Sequence, residues 1–332
     1  MSHANIAVFV PHRGCPQQCS FCNQRVISGA AAQPTAADVD RACEAAKKGV
    51  HPGDTVQLAF FGGSFTAIDR GDMLTLLTAA KKHVDSGFLT GGVRVSTRPD
   101  FIDEEILTLL KAYGVRAVEL GAQSMDDRVL ALNGRGHTAA DVVRASKLIA
   151  AYGLELGLQM MTGLYGSTDE DSRETARQLI ALHPATVRIY PTVVLRGTRL
   201  EQLYHSGVYQ PPDWEQSVPL CSELLQLFEE NGVRVIRLGL HAQDDVARQM
   251  VAGAYHPALR ELCQGEIYYR KAAQQLQGRP WGDYQLLVSP TAVSQMIGQK
   301  KKNLSRLAQQ GYRCRVLGDE SLSVYELRIK EL

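Results

Sequence analysis

Three cysteines lie close together near the start of the chain, at Cys15, Cys19 and Cys22. They follow an apolar run at residues 6–10, which is typical of a buried strand. Cysteine thiolates are the usual ligands of iron–sulfur clusters, and a short loop that leaves a strand can supply three of them to one cluster. Phe21 fits a loop that packs against a flat ligand. No fourth cysteine lies nearby, so one iron would stay open for a ligand from outside the protein.

The same cysteines leave a zinc site open as an alternative. Structural zinc usually has four protein ligands, with closely spaced cysteine pairs among them, and His12 could complete such a set. Disulfide bonds or plain buried thiols are disfavoured, because three clustered cysteines leave one of them without a partner. The cysteines alone therefore indicate a metal centre, with an iron–sulfur cluster favoured over zinc.

Composition limits the class of protein. The chain has 332 residues, of which 45% are hydrophobic and 21% are charged, with a formal net charge of +1. This length accommodates one large α/β domain and a small second domain. We expect a cytoplasmic protein without a membrane span, because the chain has no long apolar run, no signal peptide pattern and clustered cysteines. Near-zero net charge argues against a protein that coats long nucleic acid, but it allows a local basic patch.

Strand-like and helix-like segments alternate about six times in the first 200 residues. Such alternation predicts a parallel sheet with right-handed crossovers. Glycine-rich or polar segments follow the predicted strands, at the rim where α/β barrels carry out their chemistry. These segments are residues 62–66, 96–100, 121–124, 162–166 and 191–198.

The cysteine spacing and the order of these segments resemble the radical S-adenosylmethionine (SAM) superfamily. The resemblance implies that Cys15, Cys19 and Cys22 hold a [4Fe–4S] cluster whose open iron is chelated by the amino and carboxylate groups of SAM. Reductive cleavage then yields methionine and a 5′-deoxyadenosyl radical, which abstracts hydrogen from a substrate. The resemblance also implies the fold, an α/β partial (β/α)6 TIM-like barrel with a lateral opening for a bulky substrate.

Within the superfamily, the chain is most similar to the branch of the Elongator catalytic subunit and its shorter bacterial relatives. The segments that carry this similarity are residues 11–12, 97–100, 134–138, 190–192, 196–198, 233–240 and 254–257. Two features depart from the branch. Ser96 stands where many relatives have a glutamate, and the remaining 50 or so residues are too few for the acetyltransferase domain of that subunit. Oxygen-independent coproporphyrinogen III oxidase is a more distant relative, with a similar glutamine and arginine twelve residues apart.

The resemblance assigns site residues one by one. It implies a SAM pocket with Phe21 near the adenine, lined further by Gly62, Gly63, Ser64, Ser96, Gln123 and Arg135. His137 and Arg196 are predicted to act as catalytic residues that contact the substrate at the rim, with a surface or helix-capping role as the alternative for His137. An electron donor such as flavodoxin or ferredoxin is an expected partner.

The tail has a different composition. Residues 279–332 contain nine Lys or Arg against five Asp or Glu, and Lys300, Lys301 and Lys302 are consecutive. We predict a strand, two helices around a turn at residues 298–301, and a final hairpin formed by residues 312–317 and 322–329. This order resembles a KH-type fold, whose GxxG loop holds nucleic-acid backbone. The basic run therefore predicts contact with tRNA, and a solvated basic face is the alternative.

Together these patterns predict three parts: a radical SAM partial barrel at residues 1–240, a helical extension at 241–280, and a small α+β, RNA-contacting domain at 281–332. The favoured function is a radical SAM enzyme that modifies a tRNA base. One alternative is a radical SAM enzyme that acts on a small metabolite or tetrapyrrole. Another is a non-catalytic iron–sulfur protein that binds RNA.

Overall fold

The computed structural model describes residues 3–10, 18–23, 32–240 and 244–332. Cys15, the first predicted cluster ligand, and His12, the alternative zinc ligand, lie outside the described residues. The other predicted site residues lie within them.

A seven-stranded parallel sheet forms the centre of the protein and curls into a half-barrel. Its order follows the chain: β1 (His3–Phe9), β2 (Thr55–Phe61), β3 (Val93–Thr97), β4 (Val115–Gln123), β5 (Glu155–Thr162), β6 (Thr186–Pro191) and β8 (Arg234–Leu238). The predicted partial barrel is confirmed, with one strand more than the six expected. β8 is short and carries arginines at both 234 and 237, so it lacks the apolar run that marks a buried parallel strand.

The α-helices around this sheet are α1 (Ala36–Ala46), α2 (Arg70–Asp85), α3 (Glu104–Ala112), α4 (Asp127–Leu132), α5 (Ala139–Ala151), α6 (Asp169–Ile180), α7 (Arg199–His205), α8 (Trp214–Glu230), α9 (Asp244–Gln249) and α10 (Leu259–Leu276). One continuous apolar core joins the sheet to α1, α2, α3, α5, α6, α8 and α10. Between them, β7 (Val193–Leu195) pairs antiparallel with β9 (Met250–Gly253). None of the described helices is long and apolar enough to cross a membrane.

The C-terminal part forms a separate sheet of three strands, β10 (Gly282–Val288), β11 (Tyr312–Gly318) and β12 (Leu327–Glu331). The helices α11 (Val293–Ile297) and α12 (Lys302–Gln309) connect β10 to β11. The predicted hairpin is wrong, because β10 lies between β11 and β12 and pairs with both of them. β10 takes the centre since it is the most apolar of the three, with Tyr284, Leu286 and Val288 fully buried.

The turn between α11 and α12 matches a GxxG loop only at its first glycine, Gly298. Lys301 stands at the position of the second glycine, yet it adopts the left-handed backbone conformation that glycine would favour, with φ 61°. Lys300 does the same, with φ 51°. Asn303 fixes the turn by donating from Nδ2 to the carbonyl oxygens of Gly265 and Gln295. The resemblance to a KH-type loop is therefore incomplete in sequence.

A network of charged side chains occupies the inside of the half-barrel. Glu119 of β4 is 1% exposed and accepts hydrogen bonds from Arg94 of β3 (3.1 Å) and Arg188 of β6 (3.0 Å). Gly157 of β5 makes room for it, since a Cβ there would lie 2.8 Å from the Glu119 Cγ. Buried charges are tolerated when they are paired and hydrogen-bonded, so one carboxylate holds two guanidinium groups from different strands inside the barrel.

We predict that Glu119→Gln lowers the free energy of unfolding by about 3–5 kcal/mol, because it leaves the buried Arg188 without its carboxylate partner. Arg94 loses one of its two carboxylates and keeps Glu155 at 2.6 Å. Urea unfolding of the purified protein measures the change. Glu105→Gln is the matched control: Glu105 pairs with Arg70 at 2.7 Å, but its side chain is 78% exposed. An exposed pair contributes less than about 1 kcal/mol. Equal stability losses in the two variants would contradict the prediction.

Candidate functional site

The cysteine loop is held by a buried asparagine. Ser20 donates from its backbone N–H to the carbonyl oxygen of Asn133 (3.0 Å) and from Oγ to Asn133 Oδ1 (2.7 Å). Asn133 is 0% exposed, and its Nδ2 donates to the carbonyl oxygens of Val129 and Tyr165 at 2.8 and 2.9 Å. The orientation of this amide is therefore fixed on all sides, and it attaches the segment between Cys19 and Cys22 to the end of α4.

The loop is also attached on a second side, near the start of α7. The backbone N–H of Leu200 donates to the carbonyl oxygen of Ser20 at 2.9 Å. Asn23 Nδ2 donates to the carbonyl oxygen of Arg196 at 2.9 Å. The described part of the loop thus has no regular secondary structure of its own, and contacts from two distant turns determine its position.

A cavity opens at the carboxyl ends of the barrel strands, beside this loop. Nine of the predicted site residues line it together: Cys19, Phe21, Cys22, Gly62, Gly63, Ser64, Ser96, Gln123 and Arg135. Because the strands are parallel, segments far apart in sequence meet at one edge of the sheet.

Gln123, at the end of β4, has an unusual backbone. Its φ is 67°, and the pairing of β4 with β5 shifts register between Gly121 and Gln123. A non-glycine residue in this conformation costs roughly 1 kcal/mol or more, and such strain is concentrated at functional sites. Its Oε1 is buried and has no hydrogen-bond partner among the described residues. The cavity wall therefore carries an unused acceptor that an ammonium or amide group of a ligand could satisfy.

Arg135 lies between Gln123 and the cysteines. Its Nη1 donates to Cys19 Sγ at 3.3 Å, and its Nη2 donates to the carbonyl oxygen of Gly121 at 2.5 Å. A Cβ on Gly121 would lie 2.9 Å from Gln123 Nε2 and 3.2 Å from Arg135 Nη2. The absence of a side chain at residue 121 therefore allows these two polar groups to approach each other.

The opposite wall consists of residues that the sequence interpretation missed. They are Gln159 and Met161 of β5 with Arg188 and Tyr190 of β6. The Arg188 guanidinium lies 4.8 Å from the ring centre of Phe61 and pairs with Glu119. Burial lowers the pKa of Arg188, but the neighbouring Tyr190 and Glu119 outweigh that effect and raise the pKa above its ordinary value. These residues give the cavity a guanidinium group and an aromatic ring, which suit a planar or anionic ligand. The sequence carries a signal for three of them, since Gln159, Arg188 and Tyr190 bear polar groups within otherwise apolar stretches of β5 and β6.

Two predicted catalytic residues do not line the cavity. The Arg196 side chain is exposed, and its backbone carbonyl oxygen accepts a hydrogen bond from Asn23 Nδ2. His137 is 4% exposed, with Nε2 3.2 Å from the carbonyl oxygen of Ala122, so Nε2 donates and Nδ1 is left without a partner among the described residues. Burial and the nearby Arg135 lower the pKa of His137 to about 4, which keeps it neutral at physiological pH. Catalytic roles for both residues stay predictions.

The described residues fit an iron–sulfur cluster and SAM. The two described cysteine sulfurs lie at the cavity wall, and a guanidinium donates to one of them. The adjacent orphaned acceptor of Gln123 and the glycines at the end of β2 leave room for a ligand with an ammonium group. Gly62 and Gly63 have φ of 80° and 53°, and a Cβ on Gly62 would lie 3.3 Å from the carbonyl oxygen of Val10.

Comparison with known proteins identifies the family of the chain. The sequence profile of the radical SAM superfamily matches residues 9–179, slightly more than half of the chain. The profile of the Radical_SAM C-terminal domain matches residues 184–269. Together the two profiles cover the half-barrel from the end of β1 onward and the helices after it, up to a point within α10.

Similar proteins carry names from the Elongator branch. The tRNA uridine(34) acetyltransferase of Dehalococcoides mccartyi is 30% identical over 239 residues, which is 62% of this chain and 52% of that protein. Human Elongator complex protein 3 is 31% identical over 175 residues, which is 52% of this chain and 31% of that protein. The matches span about half or less of the length of these relatives.

Solved structures show the same fold. Elp3 of Methanocaldococcus infernus, with an N-terminal deletion, superposes with a TM-score of 0.63 over 85% of this chain and 66% of that chain, at 22% identity. SuiB of Streptococcus suis, solved with S-adenosylmethionine bound, superposes with a TM-score of 0.51 over 72% of this chain and 47% of that chain, at 14% identity. The chain therefore belongs to the radical SAM superfamily of enzymes, which use a [4Fe–4S] cluster and SAM, and it resembles the Elongator catalytic-subunit branch within that superfamily.

Proposed function

We propose that this protein cleaves SAM reductively at a [4Fe–4S] cluster and uses the resulting radical to modify a base of tRNA. The observation that carries the proposal is the shared cavity, in which the cysteine loop, the unused acceptor of Gln123 and the glycines after β2 lie together. Cys15, Cys19 and Cys22 are the proposed ligands of three irons, and SAM would occupy the fourth.

The bound cluster and SAM supply the radical chemistry, and the protein binds, orients and shields the reacting groups. In this proposal the Gln123 carbonyl would accept a hydrogen bond from the SAM ammonium group. Gly62, Gly63, Ser64 and Ser96 would line the rest of the SAM pocket, and Phe21 would pack near the adenine. Ser96 is itself 3.4 Å from Glu119, so a buried carboxylate lies behind the position where relatives have a glutamate.

The substrate base would enter from the wall formed by β5 and β6. Gln159 Nε2 donates to Glu119 at 3.0 Å, which fixes the orientation of the amide, and its Oε1 can accept a hydrogen bond from the edge of a base. Tyr190 provides a flat ring against which a base can pack. The tRNA assignment is supported by the names of the relatives, which concern a uridine of tRNA.

The lysine turn supports contact with a nucleic-acid backbone. Lys300 and Lys301 are exposed, and among the described residues neither side chain has an ion pair or hydrogen bond. Lys302 differs, since its Nζ lies 3.5 Å from a Glu215 carboxylate oxygen and 5.9 Å from the Trp214 ring. Of the three consecutive lysines, Lys300 and Lys301 are therefore the two that remain available for phosphate groups.

We predict that the anaerobically reconstituted protein forms 5′-deoxyadenosine from SAM and a low-potential reductant, and that Gly121→Ala forms at least about tenfold less at subsaturating SAM. The new methyl group displaces the ends of Gln123 and Arg135, and one lost charge-assisted hydrogen bond corresponds to about 1.5–3 kcal/mol. Gly49→Ala is the matched control, because a Cβ there meets nothing within 4 Å. A wild-type protein with a full cluster and no 5′-deoxyadenosine would contradict the function and favour a non-catalytic iron–sulfur protein.

We further predict that Lys300→Ala/Lys301→Ala weakens tRNA binding and reduces the slope of log K against log salt concentration by about 2, one unit for each lost phosphate contact. Filter binding at several salt concentrations measures both quantities. Lys47→Ala/Lys48→Ala, which removes two consecutive exposed lysines at the end of α1, is the control with the same charge change. Absence of salt-dependent tRNA binding by the wild type would favour a small-molecule substrate.

A further inference from the structure

Arg135 differs from the other buried arginines at the cavity. It is 6% exposed, yet among the described residues no carboxylate lies within ion-pair distance of it. Arg188 is paired with Glu119, and Arg98 is paired with Asp100 at 2.7 Å. The partners of Arg135 are the Cys19 sulfur and the carbonyl oxygen of Gly121.

A buried cation without a counter-ion is unfavourable by several kcal/mol, and such a group is retained where an anion balances it. Among the described residues, the Cys19 sulfur is the group in contact with Arg135 that can carry a full negative charge. It carries that charge as a thiolate ligand of iron. The position of Arg135 is therefore best explained by an anionic sulfur beside it.

The chain holds the arginine and the cysteine in one unit. The backbone N–H of Arg135 donates to the carbonyl oxygen of Leu130 at 3.0 Å, and the preceding Gly134 has φ 64°. Asn133, two residues before Arg135, anchors Ser20, the residue after Cys19. The backbone of Arg135 and the cysteine loop are therefore attached to the same turn, which keeps Arg135 within reach of the Cys19 sulfur.

We propose that Arg135 tunes the reduction potential of the cluster. It donates an N–H···S hydrogen bond to Cys19 and thereby raises that potential. The inference rests on the proposed function and adds a role to the predicted place of Arg135 in the SAM pocket. When the cluster accepts one electron from a low-potential donor, it gains one negative charge, and no bond at Arg135 forms or breaks. Hydrogen bonds to cluster sulfurs and nearby positive charge stabilise that reduced form.

The test is an EPR-monitored redox titration of the reconstituted protein without SAM, so that loss of a SAM contact cannot affect the result. We expect Arg135→Gln to reduce the ratio of reduced to oxidised cluster at a fixed potential about tenfold, which corresponds to ~59 mV for one electron. Arg188→Gln is the matched control. It removes one positive charge from the same cavity, but Arg188 pairs with Glu119 rather than with a cysteine sulfur, so the ratio should shift less. An Arg135→Gln protein that keeps its iron and the wild-type potential would overturn the proposal.

A second measurement covers the case in which Arg135→Gln loses its cluster. The wild-type protein is reduced in D₂O without SAM, and pulsed electron–nuclear double resonance detects exchangeable deuterons coupled to the cluster. The N–H···S bond predicts a coupled deuteron that is lost or changed in Arg135→Lys, and its absence in the wild type would overturn the inference. If the wild type forms 5′-deoxyadenosine and Arg135→Gln keeps the wild-type reduction potential, the role of Arg135 is refuted and the proposed function stands.

Discussion

The hydrogen bonds between Ser20 and Asn133 determine where the cysteine loop lies. The described part of the loop belongs to no helix or strand, so its position depends on contacts with other parts of the chain. Asn133 provides two of them and is fully buried, with its amide also bonded to Val129 and Tyr165. Buried amides of this kind are costly to leave unsatisfied, so the loop and the turn after α4 are expected to form together.

The polar interior of the half-barrel is the second constraint. A closed barrel of this type fills its centre with layers of branched apolar side chains. Here Arg94, Glu119 and Arg188 occupy the interior instead, and the last of these reaches the cavity wall. The network thus connects the strands that carry the proposed SAM-pocket residues with β6, which carries part of the remaining cavity wall. It also supplies fixed charge next to a cavity in which charged groups are proposed to react.

Much of this could be predicted from sequence, because the informative residues lie in short segments at the ends of parallel strands. Gly62, Gly63, Ser96, Gln123 and Arg135 are far apart in the chain, but strand periodicity and a resemblance in motif order place them at one edge. Other features depend on packing between distant segments and had no local signal. Asn133 reads as an ordinary helix-ending residue, and nothing near β11 indicates that β10 separates it from β12.

The central claim is that the three cysteines would hold a cluster with one iron left for SAM, and that Gln123, in the same cavity as Cys19 and Cys22, would bind the SAM ammonium group. Electron–nuclear double resonance of the reduced cluster, with SAM labelled by ¹⁵N at its amino group and ¹⁷O at its carboxylate, tests it most directly. The account predicts hyperfine coupling from both labels, and the same coupling should weaken in Gln123→Ala at equal SAM concentration. A fully loaded cluster whose spectrum shows no coupling from either label would contradict the account.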